Sequence, residues 1–204
     1  MNNYTNFIQS IIEDPNGVKM PEPISKNFDR CLDYINSLLK SSINLAQNNQ
    51  TRLALFVAIT AVEEATKAEI YCFRVNKKTN PRGSKDSLKK HDIKHKAAVN
   101  KDVLLIGKRV QDIIGKELTE QIYDNFSKGK TRELRESCLY FEVKNNILSF
   151  PNERIDNHIA LAYLLACIEI IDDKLVGWTN YSFQLSEDLD RYFEIIKDIY
   201  LLNL

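Results

Sequence analysis

The chain is poor in turn-forming residues: 204 residues contain 6 Gly and 5 Pro. A sandwich or barrel of many short strands needs a turn about every ten residues, so this scarcity argues against one and for a largely helical protein. Cysteine is also sparse. The four thiols, Cys31, Cys72, Cys138 and Cys167, form no Cys-x-x-Cys pair and sit among apolar neighbours, which predicts reduced core thiols and no zinc site. Neither sign of charge is in excess, with 28 Lys and Arg against 28 Asp and Glu, so coating of nucleic acid by a globally basic surface is disfavoured. The longest apolar runs, Leu53 to Val62 with its single Thr and Ile159 to Ile168, fall well short of the roughly 20 residues that cross a bilayer. The opening MNNYTNFIQSIIEDP lacks a charged leader, and Glu13 and Asp14 break its apolar stretch. A soluble, cytoplasmic protein without a membrane partner is expected. Glycine-rich phosphate loops, Gly-x-Ser-x-Gly and His-Glu-x-x-His are missing too, which weakens nucleotide-dependent and serine-hydrolase chemistry.

What is present is helical periodicity. With 44% hydrophobic and 27% charged residues, the chain can bury one ordinary core, and we expect an N-terminal arm over residues 1–24 followed by a single domain over 25–204. Phe28, Leu32, Ile35, Leu39, Ile43 and Ala46 step by three and four, predicting a helix from near Ser25 into the polar run 47–50. Thr51 is a candidate cap for a second helix to about Val75, so apolar in its first half that it should be central. Asn76 to Lys90 reads as a solvated basic loop. A third helix is expected from near Asp92 to the mid-120s, with interruptions around Gly107 or Gly115. Residues 138–150 alternate about Lys144-Asn145-Asn146 and predict a small β-hairpin closed by Pro151. Asn152 would cap a fourth helix over 153–176, stopped by Gly177, and Ser186 would cap a shorter last one. The expected fold is all-α: an antiparallel bundle of four long helices plus terminal helices, with the hairpin as an insertion.

Charges interrupt the apolar second helix. Arg52, Glu63, Lys67 and Arg74 share a sector of roughly 60°, with Glu64 beside them. One reading is an exposed edge with a Glu63 to Lys67 pair; the other, favoured by Phe56, Ile59 and Ile70 in the same sector, is a set of partly buried charges that require partners or a function. Partners are at hand in Lys89-Lys90-His91-Asp92-Ile93-Lys94-His95-Lys96, where His91 shares a helix face with Lys94 and His95. Over 74–96 nine Lys and Arg face only Asp86 and Asp92, so the natural ligand is an anion such as RNA phosphate, and two histidines among lysines repel a metal ion. A second basic group, Lys128, Lys130, Arg132 and Arg135, precedes the hairpin. Arg135 with Tyr140, or Arg154 with His158, would set a cation beside a proton-transfer group. His158, among Ile159, Leu161 and Leu164, also reads as a packing histidine.

In order along the chain, Arg52, Ala61-Val62-Glu63-Glu64-Ala65-Thr66-Lys67, His91-Asp92-Ile93-Lys94 and Arg135-Glu136-Ser137-Cys138-Leu139-Tyr140-Phe141-Glu142 resemble the AbiV-type abortive infection proteins of bacteria, within the helical HEPN superfamily. The resemblance spans roughly residues 28–176. It implies a HEPN-type bundle, a homodimer, and a part in anti-phage defence in which a phage-encoded activator protein releases a dormant toxin against RNA or the translation machinery. Many HEPN proteins are ribonucleases that use neither metal nor cofactor and carry an Arg and a His with four to six residues between them. Here Arg135 meets Tyr140 at that distance, and Arg154 precedes His158 one residue too closely.

Two functions follow as expectations. In the first the chain cleaves or binds RNA and shuts down translation: Glu63, Glu64 and Lys67 form the polar core of the site, His91 with Lys94 supplies acid/base chemistry and a phosphate contact, Arg135 and Tyr140 touch substrate, and Arg52, Arg74, Lys89, Lys90 and Arg132 bind RNA. In the second the same charges are a structural network, and the basic loop docks the protein on a ribosome, RNA or partner protein without catalysis.

Overall fold

A computed structural model describes residues 22–77, 91–99 and 102–203. Two long helices, α1 (Glu22–Gln47) and α2 (Thr51–Lys77), are joined by a three-residue turn in which Asn49 takes the left-handed conformation at φ 60. Their stepping apolar residues make the contact: Phe28, Leu32, Ile35, Leu39 and Ile43 of α1 are buried, as are Leu55, Ile59 and Val62 of α2. Fully burying such a side chain contributes about 1.5–3 kcal/mol. Ala54, Ala58, Ala61, Ala65 and Ala68 keep α2 slim on the sides where its neighbours pack.

Those neighbours are α1 and α8 (Asn157–Leu175), whose residues 160–168 are buried without exception. Helix α9 (Asn180–Leu202) then packs on α8 and returns to α1, so α1, α2, α8 and α9 close a four-helix ring. The rest lies between α2 and α8 in sequence: α3 (His91–Ala98), a single π turn (Asp102–Ile106), α4 (Arg109–Ile114), α5 (Lys116–Ser127), α6 (Thr131–Leu139), β1 (Glu142–Lys144), β2 (Ile147–Ser149) and the one-turn α7 (Pro151–Arg154). The all-α bundle with a hairpin insertion is as expected. No helix of the described residues is long and apolar enough to cross a membrane.

Several expected boundaries move. The third helix, though, is interrupted where expected: Lys108, beside Gly107, is left-handed (φ 64) and parts the π turn from α4, and Gly115 (φ 83) parts α4 from α5. The polar stretch before the hairpin forms α6, whose interior-facing residues Thr131 and Cys138 are too few to show a periodic stripe. Asn152 lies inside α7; the cap of α8 is Asp156, which accepts the His158 amide at 2.7 Å and the Ile159 amide at 3.4 Å. Ser186 lies within α9, where it donates to Asp172 at 2.7 Å, while Thr179 caps that helix. The last helix is therefore long. The hairpin turn is at Asn145-Asn146, both left-handed (φ 52 and 63), the conformation a two-residue hairpin loop demands. The arm over residues 1–24 falls almost wholly outside the described residues, as does most of the basic loop. All four thiols are free, and Cys72, Cys138 and Cys167 are buried.

Candidate functional site: a saturated carboxylate between three helices

Helix α2 carries Glu63 into the seam where α3 and α6 cross it, and leaves it 2% exposed. An ionised carboxylate accepts about four hydrogen bonds, and four donors arrive. Oε1 meets His95 Nε2 at 2.7 Å and Arg135 Nη1 at 2.5 Å. Oε2 meets His91 Nδ1 at 2.7 Å and Lys94 Nζ at 3.1 Å. Burial pushes this carboxyl up, but the hydrogen bonds of His95 and His91 and the Arg135 charge outweigh it and hold Glu63 well below the usual carboxylate range.

The carboxylate only accepts, so the proton sits on Nε2 of His95 and on Nδ1 of His91. His95 is fully buried beside the Phe126 ring and uses its other nitrogen to meet the Thr131 hydroxyl at 2.6 Å, which ties the start of α6 to α3. His91 differs. Its side chain is 45% exposed, and no partner for its Nε2 is found among the described residues. Glu63 thus orients an imidazole whose free nitrogen faces outward, the arrangement by which a buried carboxylate sets a general base. Lys94, 2% exposed, stands 3.3 Å from His91 Nδ1. Arg135 is mostly buried with its Nε unpartnered and its guanidinium 6.0 Å from the Phe56 ring. Lys94 and Arg135 set two cationic groups against the one Glu63 carboxylate.

Four of the residues singled out in the sequence, Glu63, His91, Lys94 and Arg135, therefore meet. The others do not join them. Lys67 pairs with Glu64 and not with Glu63, and Glu64 turns toward Cys31 of α1, whose thiol is pushed up first by burial and then by that carboxylate. Arg52 donates to the carbonyls of Ile155 at 2.9 Å and Asn152 at 3.4 Å, holding α7. Arg132 pairs with Glu136 at 3.2 Å on the outer face of α6. Tyr140 is exposed at the end of α6, lining a cleft of about 380 Å³ with Glu133, Glu136, Ser137 and Glu142. The Arg74 side chain, Lys89 and Lys90 lie outside the described residues. Arg154 and His158 make contacts elsewhere: Arg154 binds the carbonyls of Ser137 and Tyr140 and the Glu142 carboxylate, and His158 stacks on Tyr200 at 4.1 Å. His95 and Thr131 were missed as site residues. The i,i+4 spacing of His91 and His95 was the available signal for the first, and Thr131 had none.

The family model described as AbiV matches residues 24–171, and the chain belongs to that HEPN family. Membership places it among proteins of abortive infection, a form of phage defence. No curated protein and no solved structure matches the chain.

Proposed function

We propose that the chain is a toxin of phage defence that acts on RNA through the Glu63 cluster and so stops translation. One observation carries this reading: a saturated, buried carboxylate fixes His91 at the surface beside two cations. His91 Nε2 would take the proton of a ribose 2′-hydroxyl, and Lys94 and Arg135 would stabilise the charge that develops on the phosphate. Glu63 has no lone pair to spare for substrate, so it is a positioning residue. The reading further has the chain act in the cytoplasm as a homodimer released by a phage-encoded activator, the dimer and the activator being what the family resemblance implies.

The test compares RNA integrity and protein synthesis in phage-infected cells carrying wild type or His91→Ala, with folding checked by circular dichroism. Discrete RNA fragments with wild type alone are expected. A second reading, binding without cleavage, is favoured by Tyr140, which stands among glutamates and away from the cluster where the HEPN pattern has a histidine. Translation arrest with intact RNA would support it and overturn the first.

A further inference from the structure

The hairpin is amphipathic the wrong way round for a surface element. Its register sets Val143 opposite Leu148, and Phe141 packs against Phe150 with ring centroids 6.1 Å apart, so these four residues make one face. Each is between 47% and 62% exposed. On the other side, Glu142 is bound by Arg154, which also holds the last carbonyls of α6. Apart from Ile147, which is 69% exposed on this second face, the polar side is tied to the body through Glu142, and the larger apolar face is offered to solvent. Among the described residues each strand of this two-stranded sheet has one edge without a ladder partner.

Exposed apolar side chains of this size present roughly 400 Å², comparable to the largest apolar patch of an ordinary monomer, which is often functional. Two such faces meeting about a twofold axis would bury only about 800 Å², less than a stable interface of its own requires. A second copy is therefore a poor sole occupant. Charge points elsewhere: the cleft against the first strand is lined by Glu133, Glu136 and Glu142, of which Arg132 and Arg154 neutralise the last two. We propose that the hairpin docks a protein partner, an extended segment that lays alternating apolar side chains on Phe141, Val143, Leu148 and Phe150 and places a lysine or arginine at the Glu133 carboxylate. Backbone pairing with a free hairpin edge would supply affinity, and the cleft would supply selectivity. This surface is separate from the Glu63 cluster, and its failure would leave the RNA reading standing.

The test uses the full chain and a fluorescent peptide of alternating valine and lysine, with a glutamate-for-lysine peptide beside it. We expect the basic peptide to bind wild type, and the double variant V143S/L148S, whose positions are exposed and should fold normally, to weaken it roughly tenfold or more. Glu133→Gln should weaken the basic peptide and spare the acidic one. No binding of the basic peptide, or equal binding to both chains, overturns the proposal. So does a wild-type dimer that V143S/L148S converts to monomer in sedimentation, which would make the face a self-interface, or vesicle binding lost in that variant, which would make it a membrane contact.

Discussion

Glu63 and Glu69 sit under two turns apart on α2, are both buried, and behave in opposite ways. Burial pushes Glu69 up, and Lys174 of α8 at 3.0 Å, its one ion-pair partner among the described residues, does not fully offset this. Glu63 suffers the same penalty, yet four donors carry it well below the usual range. The difference teaches that a cationic neighbour alone does not make a buried carboxylate comfortable; the number of hydrogen bonds that reach its lone pairs decides. The Glu69 pair joins two core helices in a near-dry seam, whereas the Glu63 cluster opens to solvent through His91.

The contrast can be broken most sharply at Glu63. Glu63→Ala leaves Lys94 and Arg135 uncompensated and should cost about 3–5 kcal/mol in urea unfolding. A cost under ~1 kcal/mol would mean that the four donors contribute little. At the other end of α2, the joint replacement Glu69→Leu with Lys174→Met should be neutral or stabilising by up to about 4 kcal/mol, while Lys174→Met alone should be clearly destabilising. Equal losses in single and double variants would contradict the comparison.

Acid and base should separate the two sites further. Glu63 has a lowered pKa, so its stabilisation is present at neutral pH and fades as pH falls below the ordinary glutamate value of 4.5. Glu69 has a raised one, so its protonated form favours folding and stability is lost as pH rises through its folded pKa. Thermal melts over pH should therefore show a shallower acid limb in Glu63→Gln and a smaller decline above pH 4.5 in Glu69→Gln. The smallest stability effect belongs to His91→Ala, about 1 kcal/mol or less because the side chain is half exposed, although RNA cleavage should vanish. A large stability loss there would recast His91 as a structural residue.

Much of the bundle was legible. The stepping of Phe28 to Ala46 names α1, because a helix that buries one face writes that face at intervals of three and four, and the apolar runs 53–62 and 159–168 name α2 and α8, which pack against neighbours on more than one side. Asn145-Asn146 likewise announced its turn, since few other residues accept two left-handed conformations in succession. Helix α6 was not legible: it buries only Thr131 and Cys138, and its role is to deliver Arg135. The caps at Asp156 and Thr179 were misplaced because Asn152 and Ser186 satisfy the same local rule, and only packing chooses among such candidates.

At the site, the sequence marked Glu63 as a charge in an apolar helix and placed His91 with Lys94, since both are statements about neighbours one turn apart. It could not choose Glu63 over Glu64 for the cluster. That choice depends on which flank of α2 faces α3 and α6 and which faces α1, so Glu64 went to Lys67 and Glu63 to partners 28, 31, 32 and 72 residues away. The sequence by itself determined the long helices α1, α2 and α8, the hairpin turn and the presence of charges that needed partners, because these are written in local periodicity and backbone preference. Only the tertiary structure decided which charges met and which hairpin face was left bare, because long-range contacts follow from how whole helices pack.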